Sequence, residues 1–202
     1  MKKFTTFCLL LVFVFLMGGC AKRYYSIHPA TIAYTASAKL EEVGLEYRYD
    51  VLHQNGNYKI ARKEKRYNMK LVAVKITNNT DGVINIGHNA AFYNGSTIIY
   101  PMDAFSVKMH LKQSVPSHLF YLLLTPLTFS FNGSNPLPVG LALGPIISGG
   151  NMLTAASANK QLYTELLKYD ILNRDIQAGE TVFGLVCFKN MGFDPLTIKL
   201  IE

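Results

Sequence analysis

Residues 113–159 run for 47 positions without an Asp, Glu, Lys or Arg. This stretch constrains the fold more than any other feature, because water-facing protein surface normally carries charge. Three arrangements satisfy it. Residues 137–158 match the length of a bilayer span, about 20 residues. However, Gly140, Gly144, Pro145, Gly149 and Gly150 interrupt a spanning helix near its middle. Residues 119–131 are also apolar but shorter, and Pro126 divides them. A second arrangement is an open apolar surface that docks a partner. Its expected contact residues are Leu119, Phe120, Leu123, Leu141, Leu143, Ile146 and Ile147. The third is a lid over a core, with Ser148-Gly149-Gly150 as a turn and Asn151 capping a helix. In that helix Met152, Ala155, Asn159, Leu162, Leu166 and Tyr169 recur every three or four positions. The pattern predicts about 18 amphipathic residues, whose apolar stripe most simply covers a sheet.

The flanking chain reads as strands. Leu45, Tyr47, Tyr49 and Val51 alternate with polar residues and predict a half-buried strand over 45–52. After the Asn55-Gly56 turn, residues 58–67 are expected to return as a charged strand. The run MKLVAVKIT over 69–77 is the clearest strand, and a short one follows at 83–86. Asn94-Gly95, flanked by Ala91-Phe92-Tyr93 and Thr97-Ile98-Ile99-Tyr100, predicts a hairpin. Residues 181–189 and 196–201 complete the set. Short strands divided by turn residues point to an antiparallel sandwich.

At the N-terminus, Lys2 and Lys3 precede about eleven apolar residues, then Gly18-Gly19-Cys20. The layout is that of a secretory signal rather than a span. Leu16-Met17-Gly18-Gly19-Cys20 resembles the lipobox of bacterial lipoproteins, with Met17 where Leu is commoner. The resemblance implies cleavage before Cys20 and acyl chains on that residue. It also implies anchorage in the outer membrane, facing the periplasm, since Ala21 rather than Asp follows the cysteine. Residues 1–19 are then signal peptide, 20–38 a lipidated tether, and 39–202 the folded domain. Cleavage removes Lys2, Lys3 and Cys8, so the formal charge of +7 falls by two and one of three cysteines is lost.

The strand order, with NNT after the 69–77 strand, a Gly turn before Tyr100-Pro101, and Ala178-Gly179-Glu180 opening TVFGLVCF, resembles immunoglobulin-like domains of bacterial envelope lipoproteins. The match covers residues 69–102 and 176–201. It implies a mainly β, immunoglobulin-like sandwich with a glycine-rich, partly helical insertion at about 103–175.

Chemistry is sparse. His28, His53, His88, His110 and His118 form no i, i+4 pair and no HExxH motif, so no metal site is expected. No Gly-x-Ser-x-Gly elbow occurs, and no phosphate-loop or dinucleotide fingerprint calls for a cofactor. Cys187, inside an apolar strand, reads as an inert buried thiol. Asp170, Asp175 and Glu180 have no evident catalytic pairing. Lys59, Arg62, Lys63, Lys65 and Arg66 crowd one short segment. They suit either a solvated edge strand or contact with anionic headgroups or envelope glycans. Nucleic acid is not an expected partner of an exported chain. The expectation is a non-enzymatic binding or structural module, anchored through its lipid, with an envelope protein as possible partner. The alternatives are an envelope hydrolase with a dispersed site, or a membrane-contacting subunit of an assembly. A hydrolase predicts a polar cleft holding at least two of the histidines or carboxylates.

Overall fold

The central strand is the one the sequence marks most clearly. In a computed structural model, which describes residues 20–201 except 40, 41, 129, 131–134, 136, 173 and 190, residues Met69–Asn78 form it. The elements in chain order begin with a 3-10 turn at Pro29–Thr31, β1 (Ala36–Lys39), β2 (Val43–Arg48), α1 (Val51–Gln54) and α2 (Tyr58–Arg66). Next come β3 (Met69–Asn78), β4 (Ile84–Asn85), β5 (Ala90–Asn94), β6 (Thr97–Ile99) and α3 (Ala104–Leu111). A 3-10 segment at Pro116–Leu124 leads to α4 (Gly140–Lys168), β7 (Asp175–Ile176), β8 (Thr181–Lys189) and β9 (Leu196–Leu200). Nine strands in antiparallel sheets stand beside four α-helices among the described residues, so the chain is mixed α and β rather than mainly β.

The chain divides into two compact units. One holds the described residues 20–23 and Gln113–Ala158, the other Tyr24–Lys112 and the remainder from Asn159. The second contains every strand found among the described residues. Its sheets run β1-β2-β3-β8, β6-β5-β9 and β4-β7, all antiparallel. Val72, Val74 and Ile76 of β3 share a core with Leu45, Phe92, Phe188 and Ile198, drawn from both larger sheets. The Phe92 and Phe188 rings meet edge to face at 5.3 Å. Two tyrosines stitch the sheets: the Tyr47 hydroxyl accepts from Leu196 N at 3.1 Å and the Tyr49 hydroxyl donates to Asp194 O at 2.6 Å.

The alternate residues of β3, Met69, Leu71 and Ala73, are also buried, and α1, α2 and the Pro29–Thr31 turn contact this strand. Cover on both faces explains why β3 reads as an almost unbroken apolar run. Asn78 ends the strand, wholly buried. Its amide donates to Gly82 O and Ile176 O at 2.7 and 2.9 Å, while Oδ1 accepts from Thr80 N. The NNT signature is therefore turn chemistry. In the hairpin, Asn94 pairs with Thr97 and Gly95 takes φ +61°, as a two-residue connection with glycine first requires.

Four sequence expectations are corrected. Residues 58–66 are helical, not a strand: Lys, Arg, Ala and Glu are good helix formers, and Ile60 and Glu64, one turn apart, supply the buried face. The first strand ends at Arg48, because Asp50 adopts φ 56° and turns the chain into α1. Ser148-Gly149-Gly150 is not a turn; α4 begins at Gly140 and runs 29 residues. Residues 24–38 are also packed rather than a tether. Tyr24 and Ile27 are buried, and β1 pairs with β2 from Ala36. The predicted signal segment, residues 1–19, lies outside the described residues.

Candidate functional site

Two features of the described residues could carry function, one in each unit. The first is a cleft of about 590 Å³ on the strand-bearing unit, within the range of small-molecule sites. The sharp turn at Asp50 brings α1 and α2 back across the start of β3. Asn57, ahead of α2, is locked in place: its Oδ1 accepts from Tyr25 N at 2.9 Å and its Nδ2 donates to Tyr25 O at 2.7 Å. One wall of the cleft then carries Tyr58, Arg62, Glu64 and Lys65 from α2; Asp50, His53, Lys70 and Phe193 complete it.

Glu64 is 4% exposed, and its Oε1 accepts from Leu71 N at 2.6 Å. Burial pushes its carboxyl up to about 7, helped by Asp50 and opposed by the Leu71 hydrogen bond and Lys70. Lys70 Nζ lies 3.6 Å from the centroid of the Phe193 ring, a cation–π contact. His53 meets Tyr58 edge-on at 4.9 Å. The lining contains no serine, threonine or cysteine, and the Tyr58 phenol is its one hydroxyl. What the cleft offers is two carboxylates, three cations and three rings, a set suited to a small polar ligand with an apolar part.

The five clustered cations are split by the helix. Arg62 and Lys65 line the cleft. Arg66 is exposed and Lys59 partly exposed. Lys63 turns away and donates to the Lys112 carbonyl; partial burial and the neighbouring Arg66, Lys59 and Lys112 hold its amine below the usual lysine range. A strand would have placed alternate cations on one face; the helix spreads them around an axis.

The second feature lies in the unit formed by residues 20–23 and Gln113–Ala158. Here α4 packs against the 3-10 segment through its small residues. A Cβ on Gly140 would come 2.1 Å from Leu124 O, and one on Gly144 2.7 Å from Thr125 Oγ1. The GxxxG spacing thus serves close backbone approach. The larger side chains point the other way: Phe120 is 74% exposed, Leu123 73%, Ile146 69% and Leu141 62%. Leu119 and Leu143 are exposed as well, while Ile147 is half-buried.

Cys20 belongs to this unit. The Tyr121 hydroxyl approaches its Sγ at 4.0 Å. Ala21 N donates to Asn151 Oδ1 at 2.6 Å. Lys22 and Gln113 exchange two hydrogen bonds, Lys22 N to Oε1 at 3.0 Å and Nε2 to Lys22 O at 2.6 Å.

The remaining sequence-flagged groups have structural roles. Glu180 pairs with Arg174 at 2.9 Å and accepts from Gln177 N. Asp175 accepts from Asn85 Nδ2 at 2.7 Å, and Asp170 from Leu172 N at 2.9 Å. His110 meets Tyr67 edge-on, and buried His118 stacks on Tyr121. Cys187 is 2% exposed, and burial raises its thiol pKa well above the usual value. Among the described residues no group of three His, Cys, Asp or Glu side chains could hold a metal ion, and no helix is long and apolar enough to cross a membrane. Comparison with known protein families, characterised proteins and solved structures finds no match to this chain.

The sequence reading missed Asp50, Glu64, Lys70 and Phe193 as cleft residues. Ile60 and Glu64 at i, i+4 were the available signal for the helix, but nothing in the sequence brings Phe193 beside Lys70.

Proposed function

We propose that this chain is a lipid-anchored, non-enzymatic protein of the cell envelope. An immunoglobulin-like module is held on the periplasmic side of the outer membrane by acyl chains on Cys20. Two antiparallel sheets around one core support the immunoglobulin-like reading. The observation that carries the anchor is the setting of Cys20. The lipobox-like cysteine belongs to a unit whose large apolar side chains stand open around the same elements that fix Ala21 and Lys22. Lipid on Cys20 would thus emerge from an already apolar unit. Its module would bind a small polar ligand in the Glu64 cleft.

The test is intact-mass analysis of the detergent-extracted full-length gene product. The reading predicts a chain beginning at Cys20 and heavier by two or three acyl chains, with Cys20→Ala left uncleaved and unacylated. A chain cleaved elsewhere, or one without lipid, would remove it.

A hydrolase is the second reading, favoured by the cleft itself, which has Asp50, Glu64 and His53 in its lining. A carboxyl held near 7 beside a second carboxylate suits general acid catalysis. Incubating peptidoglycan sacculi with the mature chain tests it. Soluble fragments released by the wild type but not by Glu64→Gln support this reading; no release by the wild type excludes it for that polymer.

A further inference from the structure

We infer that the unit containing Cys20 is a bilayer-seating surface, an interfacial wedge that enters one membrane leaflet beside the acyl chains. The inference deepens the proposed lipid anchorage and takes Cys20 acylation from it. Its occupant is lipid rather than a protein partner, for three reasons on this unit alone.

The first is inversion of the helix. A helix in water turns its large aliphatic side chains inward and its small or polar ones outward. In the first half of α4 the order is reversed. Gly140, Gly144 and Ser148, each four residues on, are buried, while Leu141, Ile146 and Leu153 are 62%, 69% and 75% exposed. Small residues between packed elements with large apolar ones facing outward is the arrangement used where the surroundings are hydrocarbon.

The second is charge. Protein interfaces keep a polar, charged rim around an apolar centre. This stretch carries no Asp, Glu, Lys or Arg from Gln113 to Asn159. Phe120 and Leu123 of the 3-10 segment, 74% and 73% exposed, extend the apolar surface beyond the helix.

The third is continuity with the anchor. Hydrogen bonds from Ala21 to Asn151 and between Lys22 and Gln113 hold the chain after Cys20 onto both ends of this unit. Tyr121, whose hydroxyl approaches Cys20 Sγ, is the neighbour of Phe120. Acyl chains leaving that sulfur would therefore start within the unit that carries the exposed apolar side chains. Because no described helix can cross a membrane, the contact is with one leaflet, as in monotopic proteins.

The experiment uses the mature chain, residues 20–202, made without lipid, and floats it with vesicles of phosphatidylethanolamine and phosphatidylglycerol. Flotation is expected, and added salt should leave most of it intact, because apolar contact carries it and only the exposed Lys22 and Arg23 of this unit add a screened attraction. Phe120→Asp, Leu123→Asp and Ile146→Asp should each weaken vesicle binding about tenfold or more, the loss expected when a large apolar side chain is kept from hydrocarbon. Their circular dichroism should stay native, since these side chains are already open. Tyr100→Asp, which changes a 79% exposed side chain of the other unit, should float normally. Failure of the unlipidated chain to float, flotation unaffected by the aspartates, or burial of the surface in a non-floating dimer would each overturn the inference. Mass analysis of Cys20 reads acylation separately, so a lipidated chain that does not float unlipidated rejects the wedge and leaves the anchor standing.

Discussion

Replacing Glu64 by glutamine should change how stability depends on pH. Glu64 is 4% exposed and its carboxyl rises from 4.5 to about 7, chiefly through burial. The folded chain therefore holds this proton more tightly than the unfolded chain does. Below the unfolded value both states are protonated and folding bears no cost from this group. As pH climbs through 4.5 the unfolded state releases the proton first, and stability falls until the folded carboxyl also ionises near 7. Each tenfold difference in proton affinity is worth ~1.4 kcal/mol, so the total loss is about 3 kcal/mol. Glutamine keeps the volume and an oxygen to accept from Leu71 N, but it has no proton to lose. Urea unfolding of residues 20–202 and of the same chain with Glu64→Gln, in steps from about pH 4 to about pH 8, reads the difference directly. The two should nearly coincide at the acid end and diverge toward about 3 kcal/mol at the alkaline end, with glutamine the more stable. Groups elsewhere titrate alike in both proteins and cancel. Parallel curves across the range would refute the reasoning, because they would place Glu64 in an environment no less polar than water.

Further tests follow from packing. Gly140→Ala puts a methyl 2.1 Å from Leu124 O and should destabilise its unit by about 1–3 kcal/mol. Gly149→Ala meets nothing within 4 Å and should stabilise α4 by roughly 1 kcal/mol; thermal melts compare the two. Asn78→Ala strands the carbonyls of Gly82 and Ile176 and should cost about 1–3 kcal/mol in denaturant titrations. Cys187, buried between Val186 and Phe188, should resist a thiol reagent in the folded chain and react within seconds once denatured, as absorbance of the released chromophore will report.

The strands were legible because their period is short and their faces differ. Leu45 and Tyr47 alternate with polar neighbours, β8 and β9 lie where their apolar runs sit, and Asn94-Gly95 marked its hairpin. Helix α2 escaped notice because its inward face is Ile60 and a glutamate: an apolar search passes over Glu64, whose burial depends on Leu71 N lying within reach. The glycines of α4 were misread for a related reason. Local propensity places Ser148-Gly149-Gly150 in a turn, whereas both of those glycines lie inside the helix; Gly140 and Gly144 serve close contact with the 3-10 segment upstream. The amphipathic register after Asn151 was readable, and Leu162 and Leu166 are buried. Of the cleft, only Arg62 and Lys65 had been singled out for binding; Lys70 and Phe193 meet through tertiary structure.

Strand β3 has a further consequence for the growing chain. Its neighbour β8 pairs from Met69 opposite Lys189 to Thr77 opposite Thr181, so residues 113–158, most of the other unit, are synthesised between the two. Closing so long a loop is slow relative to local pairing. Until Thr181–Lys189 arrives, one edge of β3 presents bare N–H and C=O groups along a run of Leu, Val, Ala, Val and Ile, the pattern that recruits foreign strands. The nascent polypeptide thus depends on its closing tenth for protection against aggregation, and a truncation shortly before Thr181 would leave a template rather than a smaller domain.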